Sequence, residues 1–218
     1  MKTGEYVSGF LDTNTYLLEE EKHLLIIDPT DNTTVLKKCK TAASVTVLLT
    51  HEHFDHISGL NRIRDLCVSS CRVIADATCS KRIQDTKANL SAYADVLVEL
   101  GGKQIPEHWS PFVCKAADIT FDERFTFQWM GHEVELFSTP GHSYGSCCIV
   151  VDDMFFVGDT VLENYLMVKF PGSSKKLYRS LAVPLLERWL LGNRISCVYP
   201  GHGDVMEPGI AIELVRGV

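Results

Sequence analysis

The sequence contains no long apolar run, no excess of basic residues and no CxxC pair of cysteines. A membrane-spanning helix needs about 20 consecutive apolar residues, so we expect no membrane partner. The chain has 21 basic and 28 acidic residues, which gives a net charge of −7. Because general nucleic-acid binders use a basic surface against the phosphates, we also expect no nucleic-acid partner.

Several catalytic and structural motifs are also missing. None of the eight cysteines forms a CxxC pair, which argues against a zinc ribbon and against a thioredoxin-type dithiol. We therefore expect free, buried thiols. There is no GxSxG sequence to present a serine nucleophile. The amino-terminal segment lacks the apolar core of a signal peptide, and we expect a cytoplasmic protein.

What the chain does contain is enough apolar sequence for a sizeable core. Its 218 residues are 45% hydrophobic, which suits one domain over residues 1–218. Hydrophobic patterning predicts strands at 5–10, 15–19, 23–27, 44–49 and 71–75, and again at 124–129, 133–138, 147–151, 154–157 and 196–199. Helices are predicted at 32–40, 57–67, 173–191 and 210–215. Two batches of strands, each followed by helices, indicate two packed sheets with helices outside.

A dense group of metal-ligand residues follows the predicted strand at 44–49. The sequence THEHFDH places His51, His53, Asp55 and His56 within six positions. Neutral imidazole and carboxylate are the usual ligands for zinc and for harder first-row ions. One ion could take the first two residues while a second ion takes the other two.

Three more predicted strand ends each carry one such residue beside glycine. These are His142 in TPGHS, Asp159 in GDT and His202 in PGHG. Glycine lets the backbone turn sharply or approach closely, which suits ligands held in a fixed arrangement. The four strand ends together supply five histidines and two aspartates, a suitable set for two divalent ions. The remaining histidines are expected to have no part in the site: His23, His108 and His132.

The order HxHxDH, GH, GDT and PGHG resembles the metallo-β-lactamase superfamily, and in particular its glyoxalase II-like branch, whose members resemble hydroxyacylglutathione hydrolase. The resemblance covers nearly the whole chain. It implies an α/β fold, an αββα sandwich of two mostly antiparallel sheets with outer helices. It also implies the metal ligands, with Asp159 as the bridge between two ions. The first ion would be held by His51, His53 and His142, and the second by Asp55, His56 and His202.

The resemblance further implies a metal-dependent hydrolase with Asp55 and Asp159 as catalytic residues. Two divalent ions, zinc first with iron or manganese as alternatives, would share a bridging hydroxide that attacks a carbonyl. We expect a small-molecule substrate, a thioester or a related acyl compound. In the glyoxalase II-like branch a lysine near the position of Lys169 binds a glutathione carboxylate, which makes Lys169 a candidate substrate-binding residue. The tyrosine that assists it is replaced here by Pro171.

Three other functions fit parts of the pattern. A phosphodiesterase or nucleic-acid processing hydrolase would usually be longer and less acidic. A persulfide dioxygenase uses a related scaffold with a single iron, whereas this sequence has ligands for two ions. A non-catalytic, metal-stabilised binding protein would not need the full ligand set. The pattern specifies no oligomeric state.

Overall fold

Two sheets lie face to face in a computed structural model that describes residues 1–9, 11–67, 70–105, 107, 109–163, 171–192 and 194–217. The first sheet has six strands: β1 (Lys2–Val7), β2 (Asn14–Glu20), β3 (His23–Ile27), β4 (Ser44–Leu48), β5 (Cys71–Asp76) and β6 (Ile119–Phe121). The second has five: β7 (Arg124–Trp129), β8 (His132–Ser138), β9 (Cys147–Val151), β10 (Met154–Gly158) and β11 (Cys197–Pro200).

Helices connect these strands and cover the outer faces of both sheets. The helices of the first half are α1 (Thr33–Cys39), α2 (Phe54–Ile57), α3 (Leu60–Leu66), α4 (Ala77–Arg82) and α5 (Ala94–Leu100). Those of the second half are α6 (Lys175–Leu177), α7 (Val183–Leu190) and α8 (Pro208–Gly217). None of the helices within the described residues is both long and apolar enough to cross a bilayer.

Three apolar layers hold the sandwich together. The central layer lies between the sheets and joins residues such as Leu25 and Leu48 of the first sheet to Leu136 and Phe156 of the second. A second layer packs the first sheet against α1, α3 and α4. A third packs the second sheet against α7 and α8. The expected αββα sandwich is therefore confirmed.

The strand pairing in the first sheet differs from the expected mostly antiparallel arrangement. The second sheet is antiparallel except where β10 pairs with β11. In the first sheet, β1, β2 and β3 are antiparallel, but β3, β4, β5 and β6 run parallel. The cause is the connection after β3, because α1 carries the chain back across the sheet and a helical crossover joins parallel strands.

The parallel pairs determine where the polar residues gather. The carboxyl ends of parallel neighbours meet at the same edge of a sheet. Asp28 follows β3 and His51 follows soon after β4, while Asp159 follows β10 and His202 follows β11. The fold thus brings segments far apart in sequence to one edge of the sandwich.

The helix predicted at 173–191 is broken into three parts. Between α6 and α7 the chain makes a turn of π-helix at Tyr178–Ala182. Pro184 lies in the first turn of α7. Because proline has no backbone N–H and its ring crowds the preceding turn, a regular helix cannot continue through this position. The kink predicted at Pro184 therefore takes the form of a wider turn just before it.

The central layer should dominate the stability of the fold. Phe156 is fully buried between the sheets, so Phe156→Ala should lower the free energy of unfolding by about 3–5 kcal/mol. Urea denaturation of samples with matched metal content measures the change. Thr126→Ala is the control, because Thr126 is exposed on β7 and should change stability by less than about 0.5 kcal/mol. Equal effects of the two substitutions would contradict this packing.

Candidate metal centre

Seven histidine and aspartate side chains meet at the edge where the strands end. The loop after β4 supplies His51 and His53, and α2 follows at once with Asp55 and His56 in its single turn. The turn after β8 supplies His142, and the residues after β10 and β11 are Asp159 and His202. All except the half-buried His202 are buried. The structure brings together the residues predicted from the sequence, which divide into two groups joined by Asp159.

The first group consists of three imidazoles. His51, His53 and His142 present nitrogen atoms that lie within 4.8 Å of one another. The ring centroids are 4.6–4.9 Å apart, and His142 Nε2 lies 2.9 Å from His53 Nδ1. Three neutral imidazole nitrogens facing one point are a typical ligand set for zinc and similar ions.

The second group combines a carboxylate with two imidazoles. The ligand atoms of Asp55, His56 and His202 also lie within 4.8 Å of one another. Asp55 Oδ2 is 3.3 Å from His202 Nε2 and 3.5 Å from His56 Nε2. The two imidazole Nε2 atoms are 3.3 Å apart. A mixed set of this kind accepts zinc, iron or manganese.

The carboxylate of Asp159 lies between the two groups. Its Oδ2 is 3.5 Å from Nε2 of His142 in the first group and 3.5 Å from Nε2 of His202 in the second. Its Oδ1 is 3.3 Å from His56 Nε2. One carboxylate in contact with both groups can serve two neighbouring ions at once.

Two features of the structure show that these residues fit bound ions. His51 Nε2 and Asp159 Oδ1 are buried and have no hydrogen-bond partner among the described residues, and such an atom is costly unless something satisfies it. In addition, a Cβ atom at Gly201 would lie 2.1 Å from Asp159 Oδ1 and 2.6 Å from His56 Cε1. Glycine is required there because the backbone passes directly beside the ligand atoms.

The electrostatics of the two groups are complementary to positive ions. Burial holds the pKa of His51, His53 and His142 below the ordinary histidine value, so these imidazoles are neutral, as a metal requires. Burial also opposes charge on Asp159, which lies between the groups, but nearby imidazoles outweigh this effect and hold the pKa of Asp159 well below its usual range. Likewise burial is outweighed by Asp159 and Asp55, which raise the pKa of His202 to about 10. The carboxylates therefore stabilise positive charge here.

The family model of the metallo-β-lactamase superfamily matches residues 8–202. This chain belongs to the metallo-β-lactamase superfamily. Its similarity extends to a probable metallo-hydrolase of Streptococcus pyogenes, which is 26% identical over 212 residues, 93% of this chain and 84% of the relative. A hydroxyacylglutathione hydrolase of Shewanella baltica is 23% identical over 185 residues, 83% of this chain. The match spans only 59% of that relative's length.

Solved structures share the fold over nearly the whole chain. The B3 metallo-β-lactamase BLEG-1 superposes with a TM-score of 0.74 at 23% identity, covering 97% of each chain. The protein TTHA1623, solved in a di-iron-bound form, gives a TM-score of 0.67 at 22% identity and covers 99% of this chain and 100% of its own. At these identities the likeness establishes the sandwich and no particular activity.

Asp28 supports the centre from behind and was not predicted from the sequence. Its Oδ2 is 2.9 Å from His56 Nδ1 and accepts a hydrogen bond from the Thr50 hydroxyl, while its Oδ1 accepts from the Thr50 N–H. The same hydroxyl lies 3.0 Å from His51 Nδ1. Asp28 and Thr50 therefore orient two imidazoles so that Nε2 of each faces the centre. The sequence signal that could have identified Asp28 is its position, since it is an acidic residue directly after the buried strand β3.

The turn between β1 and β2 contacts the loop that carries His202, and this contact was also not predicted from the sequence. The Leu11 carbonyl lies 3.1 Å from His202 Nδ1, which directs the other ring nitrogen toward Asp55. The Thr13 hydroxyl donates to Asp55 Oδ2 at 2.9 Å, and the Asn14 N–H donates to the Gly201 carbonyl at 2.7 Å. The contact of Leu11 with His202 joins residues 191 positions apart, and that of Thr13 with Asp55 joins residues 42 positions apart.

A buried ion pair links the two histidine loops of the first group. Glu52, between His51 and His53, is buried and pairs with Arg82 of α4. The Ser143 hydroxyl, next to His142, donates to Glu52 Oε2 at 2.8 Å. Burial raises the pKa of Glu52, although Arg82 and Ser143 oppose that shift. Glu52 therefore connects the two loops through a network of polar contacts.

The other predicted residues lie elsewhere. His23 Nδ1 is 2.7 Å from the Ser44 hydroxyl, and His132 Nδ1 is 2.5 Å from Asp152, so neither contributes to the centre. Lys169, the candidate substrate-binding residue, and His108 lie outside the described residues.

The purified protein should contain about two equivalents of zinc, iron or manganese per chain, one for each group of ligands. Asp159→Ala should lower the metal content, because Asp159 contacts both groups. Elemental analysis of desalted protein measures the content. Asp122→Ala, which changes an exposed acid, is the control. A wild-type protein that is fully folded yet metal-free would contradict the assignment.

Asp28→Asn should weaken metal binding by about 10- to 100-fold, because outer partners of metal-binding imidazoles typically contribute this much. The reason is the loss of the carboxylate that orients His56 and, through Thr50, His51. Titration against a chelator of known affinity gives the metal affinity. Asp31→Asn is the matched control, since Asp31 is exposed and pairs with Arg62. Unchanged affinity in Asp28→Asn would refute this orienting role.

Proposed function

We propose that the protein is a dinuclear metal-dependent hydrolase that acts on a small-molecule thioester or a related acyl compound. The metal ligands are the seven residues predicted from the sequence. His51, His53 and His142 would hold one ion, and Asp55, His56 and His202 would hold the other. Asp159 would contact both ions, and zinc is the first candidate metal.

The observation that carries this proposal is the position of Asp159. Its Oδ2 atom is equally distant, at 3.5 Å, from a histidine of each group. A carboxylate at this point could serve two neighbouring ions, which would then be close enough to act on one substrate group. A site for a single ion would leave either the three imidazoles or the Asp55 group without a use.

The comparisons support the class of reaction. Hydroxyacylglutathione hydrolases of Shewanella, Citrobacter and Klebsiella are similar over 80–84% of this chain. The chain spans about three fifths of the length of these relatives, at 23–25% identity. The likeness therefore favours acyl hydrolysis without specifying glutathione. The di-iron form of TTHA1623 supports iron as the alternative to zinc.

The chain's own residues position the reaction. Two bound divalent ions would lower the pKa of a shared water toward neutrality and polarise the carbonyl of the substrate. The Thr13 hydroxyl donates to the Asp55 carboxylate, which also faces His202, so this carboxylate is held in a fixed position at the centre. Ser143 is not available as a nucleophile, because its hydroxyl donates to the buried Glu52 and contacts Ser146.

Lys169 remains our candidate for binding a carboxylate of the substrate. The turn that follows it is tied to the metal-binding loops, because the guanidinium of Arg82 donates to the Pro171 carbonyl at 3.3 Å while pairing with Glu52. Arg82 therefore connects this turn to the segment that carries His51 and His53.

An activity panel on metal-loaded protein tests the proposal. We expect hydrolysis of thioesters, with lactoylglutathione as the first probe, and weak or no cleavage of phosphodiesters. Chelation should remove the activity, and added zinc, iron or manganese should restore it. Asp159→Ala should lower the rate by more than about 100-fold, since even outer partners of metal ligands contribute 10- to 100-fold.

Controls separate the reaction from the metal site. Asp122→Ala should retain the wild-type rate. Phosphodiester cleavage without thioester hydrolysis would overturn the substrate class and leave the metal assignment standing. Two bound metals with no turnover of thioesters, lactones, lactams or phosphodiesters would overturn the enzymatic function and favour a metal-stabilised binding protein.

A further inference from the structure

The ligand side chains differ in their exposure, and this difference locates an opening of the metal centre. His51 and His56 are closed off from solvent, with 1% and 0% of their surface exposed. His53 and His142 keep 5% and 7%. On the side of the first group, the centre is therefore reached past His53 and His142.

The turn that carries His142 also carries an exposed aromatic side chain. Tyr144 lies two residues after His142, and 45% of its surface is exposed. Two hydrogen bonds fold this turn tightly. The Gly141 N–H donates to the Ser143 carbonyl at 3.0 Å, and the Ser143 N–H donates to the Ser146 hydroxyl at 3.0 Å. Tyr144 is therefore displayed at a fixed place beside a ligand of the first group.

The residues on both sides of Tyr144 fasten the turn to the segment of the other two histidines. A Cβ atom at Gly145 would lie 2.6 Å from Glu52 Oε2 and 2.5 Å from the Cys79 nitrogen. Only glycine permits so close an approach, so the turn packs directly on Glu52 and on α4. On the other side, the Ser143 hydroxyl donates to the same Glu52 oxygen. The backbone that carries Tyr144 is thus held in place.

Arg82 supports the ring of Tyr144. Its guanidinium carbon lies 5.7 Å from the ring centroid, within the range of a cation–π contact. The Nε of Arg82 donates to the buried Glu52, and its Nη2 donates to the carbonyls of Ala88 and Pro171 at 3.1 and 3.3 Å. Because Glu52 balances its charge and these carbonyls occupy its donors, Arg82 is better suited to support the ring than to bind a substrate carboxylate.

The segment 171–174 borders the same place. Its Pro171 carbonyl accepts the hydrogen bond from Arg82, and its Ser174 N–H donates to the Gly141 carbonyl at 2.7 Å. This segment and the turn that carries Tyr144 therefore form one continuous rim beside His142. A substrate that reaches the first group from this side must pass the exposed ring of Tyr144.

We propose that Tyr144 is a specificity-determining residue whose ring packs against an apolar group of the substrate next to the reacting carbonyl. This inference rests on the proposed hydrolase function. An exposed aromatic ring gains free energy when apolar surface covers it, and a ring held in a fixed place loses little freedom in doing so. Both halves of a thioester flank the carbonyl, so either the acyl half or the thiol half can supply the apolar group.

Two series of thioesters, assayed with the metal-loaded protein, test the proposal. In the first series, acetyl, hexanoyl and benzoyl groups are joined to the same thiol. In the second, one acyl group is joined to glutathione or to benzyl mercaptan. Tyr144→Ala should raise KM about 10-fold for the bulky apolar members of one series, the lower end of what an apolar contact contributes to specificity. Its kcat, and its KM for the small or polar members, should stay near the wild-type values, as expected when only ground-state binding is lost. The series that responds identifies the half that contacts the ring.

Two further variants are controls. Tyr144→Phe keeps the ring and should keep the wild-type KM. Tyr93→Ala removes a tyrosine of similar exposure, 41%, from the turn before α5 and should behave like the wild type. Elemental analysis and circular dichroism verify the metal content and the folding of each variant.

The outcomes separate this inference from the proposed function. A wild-type protein that hydrolyses no thioester would overturn the proposed function and this inference with it. An active wild type whose Tyr144→Ala variant keeps its KM in both series would overturn the role of Tyr144 alone. An equal rise in KM for every thioester would do the same, because it would show no selectivity for apolar groups.

Discussion

The contact of one carboxylate with two sets of imidazoles is the interaction on which the site is organised. Asp159 is buried, and a buried carboxylate is costly unless positive charge or hydrogen-bond donors surround it. Here it faces His142 on one side and His56 and His202 on the other. The residues that approach it come from three different strand ends. The strand ends therefore converge on this single side chain. Gly201 is part of the same arrangement, because only glycine lets the backbone pass so close to the Asp159 carboxylate.

The centre is surrounded by groups that orient the ligand residues. Asp28 and Thr50 orient His51 and His56, the Leu11 carbonyl orients His202, and the buried Glu52 connects the first two histidine loops. Imidazole rings rotate easily, so a set of histidines needs such partners before their nitrogens face one point. The fold supplies them from segments that carry no ligand, and the pre-organised geometry lowers the cost of binding ions.

Local patterns were enough to predict most of the strands and the seven histidine and aspartate residues that form the two groups and their link at Asp159. A histidine-rich motif after a buried strand is a local signal, and so is a single histidine or aspartate beside glycine. The supporting residues could not be predicted in this way. In the sequence, Asp28 only indicates the end of a strand. Leu11 acts through its backbone carbonyl, and no sequence pattern predicts a backbone contact of this kind. The parallel pairing of β3 with β4 was missed for a related reason, because strand direction depends on where α1 returns the chain.

The cysteines illustrate the same limit from another direction. Spacing alone showed that no CxxC motif exists, and it led us to expect free, buried thiols. Cys39 is the last residue of α1 and Cys67 follows α3, so the packing of α1 against α3 places both in one apolar layer. Contacts of this kind depend on tertiary structure and leave no periodic trace in the sequence.

The turn between β1 and β2 has a consequence for the order in which the protein is assembled. Most ligands of the second group, together with two of the first, lie in the short segment after β4, yet His202 reaches its position only when the last loop docks against residues 11–14. Contacts across such a separation are costly to form early in folding. During synthesis the first half would expose a partial ligand set well before its final member is made. Complete metal binding would then require that the loop of His202 has already packed against residues 11–14.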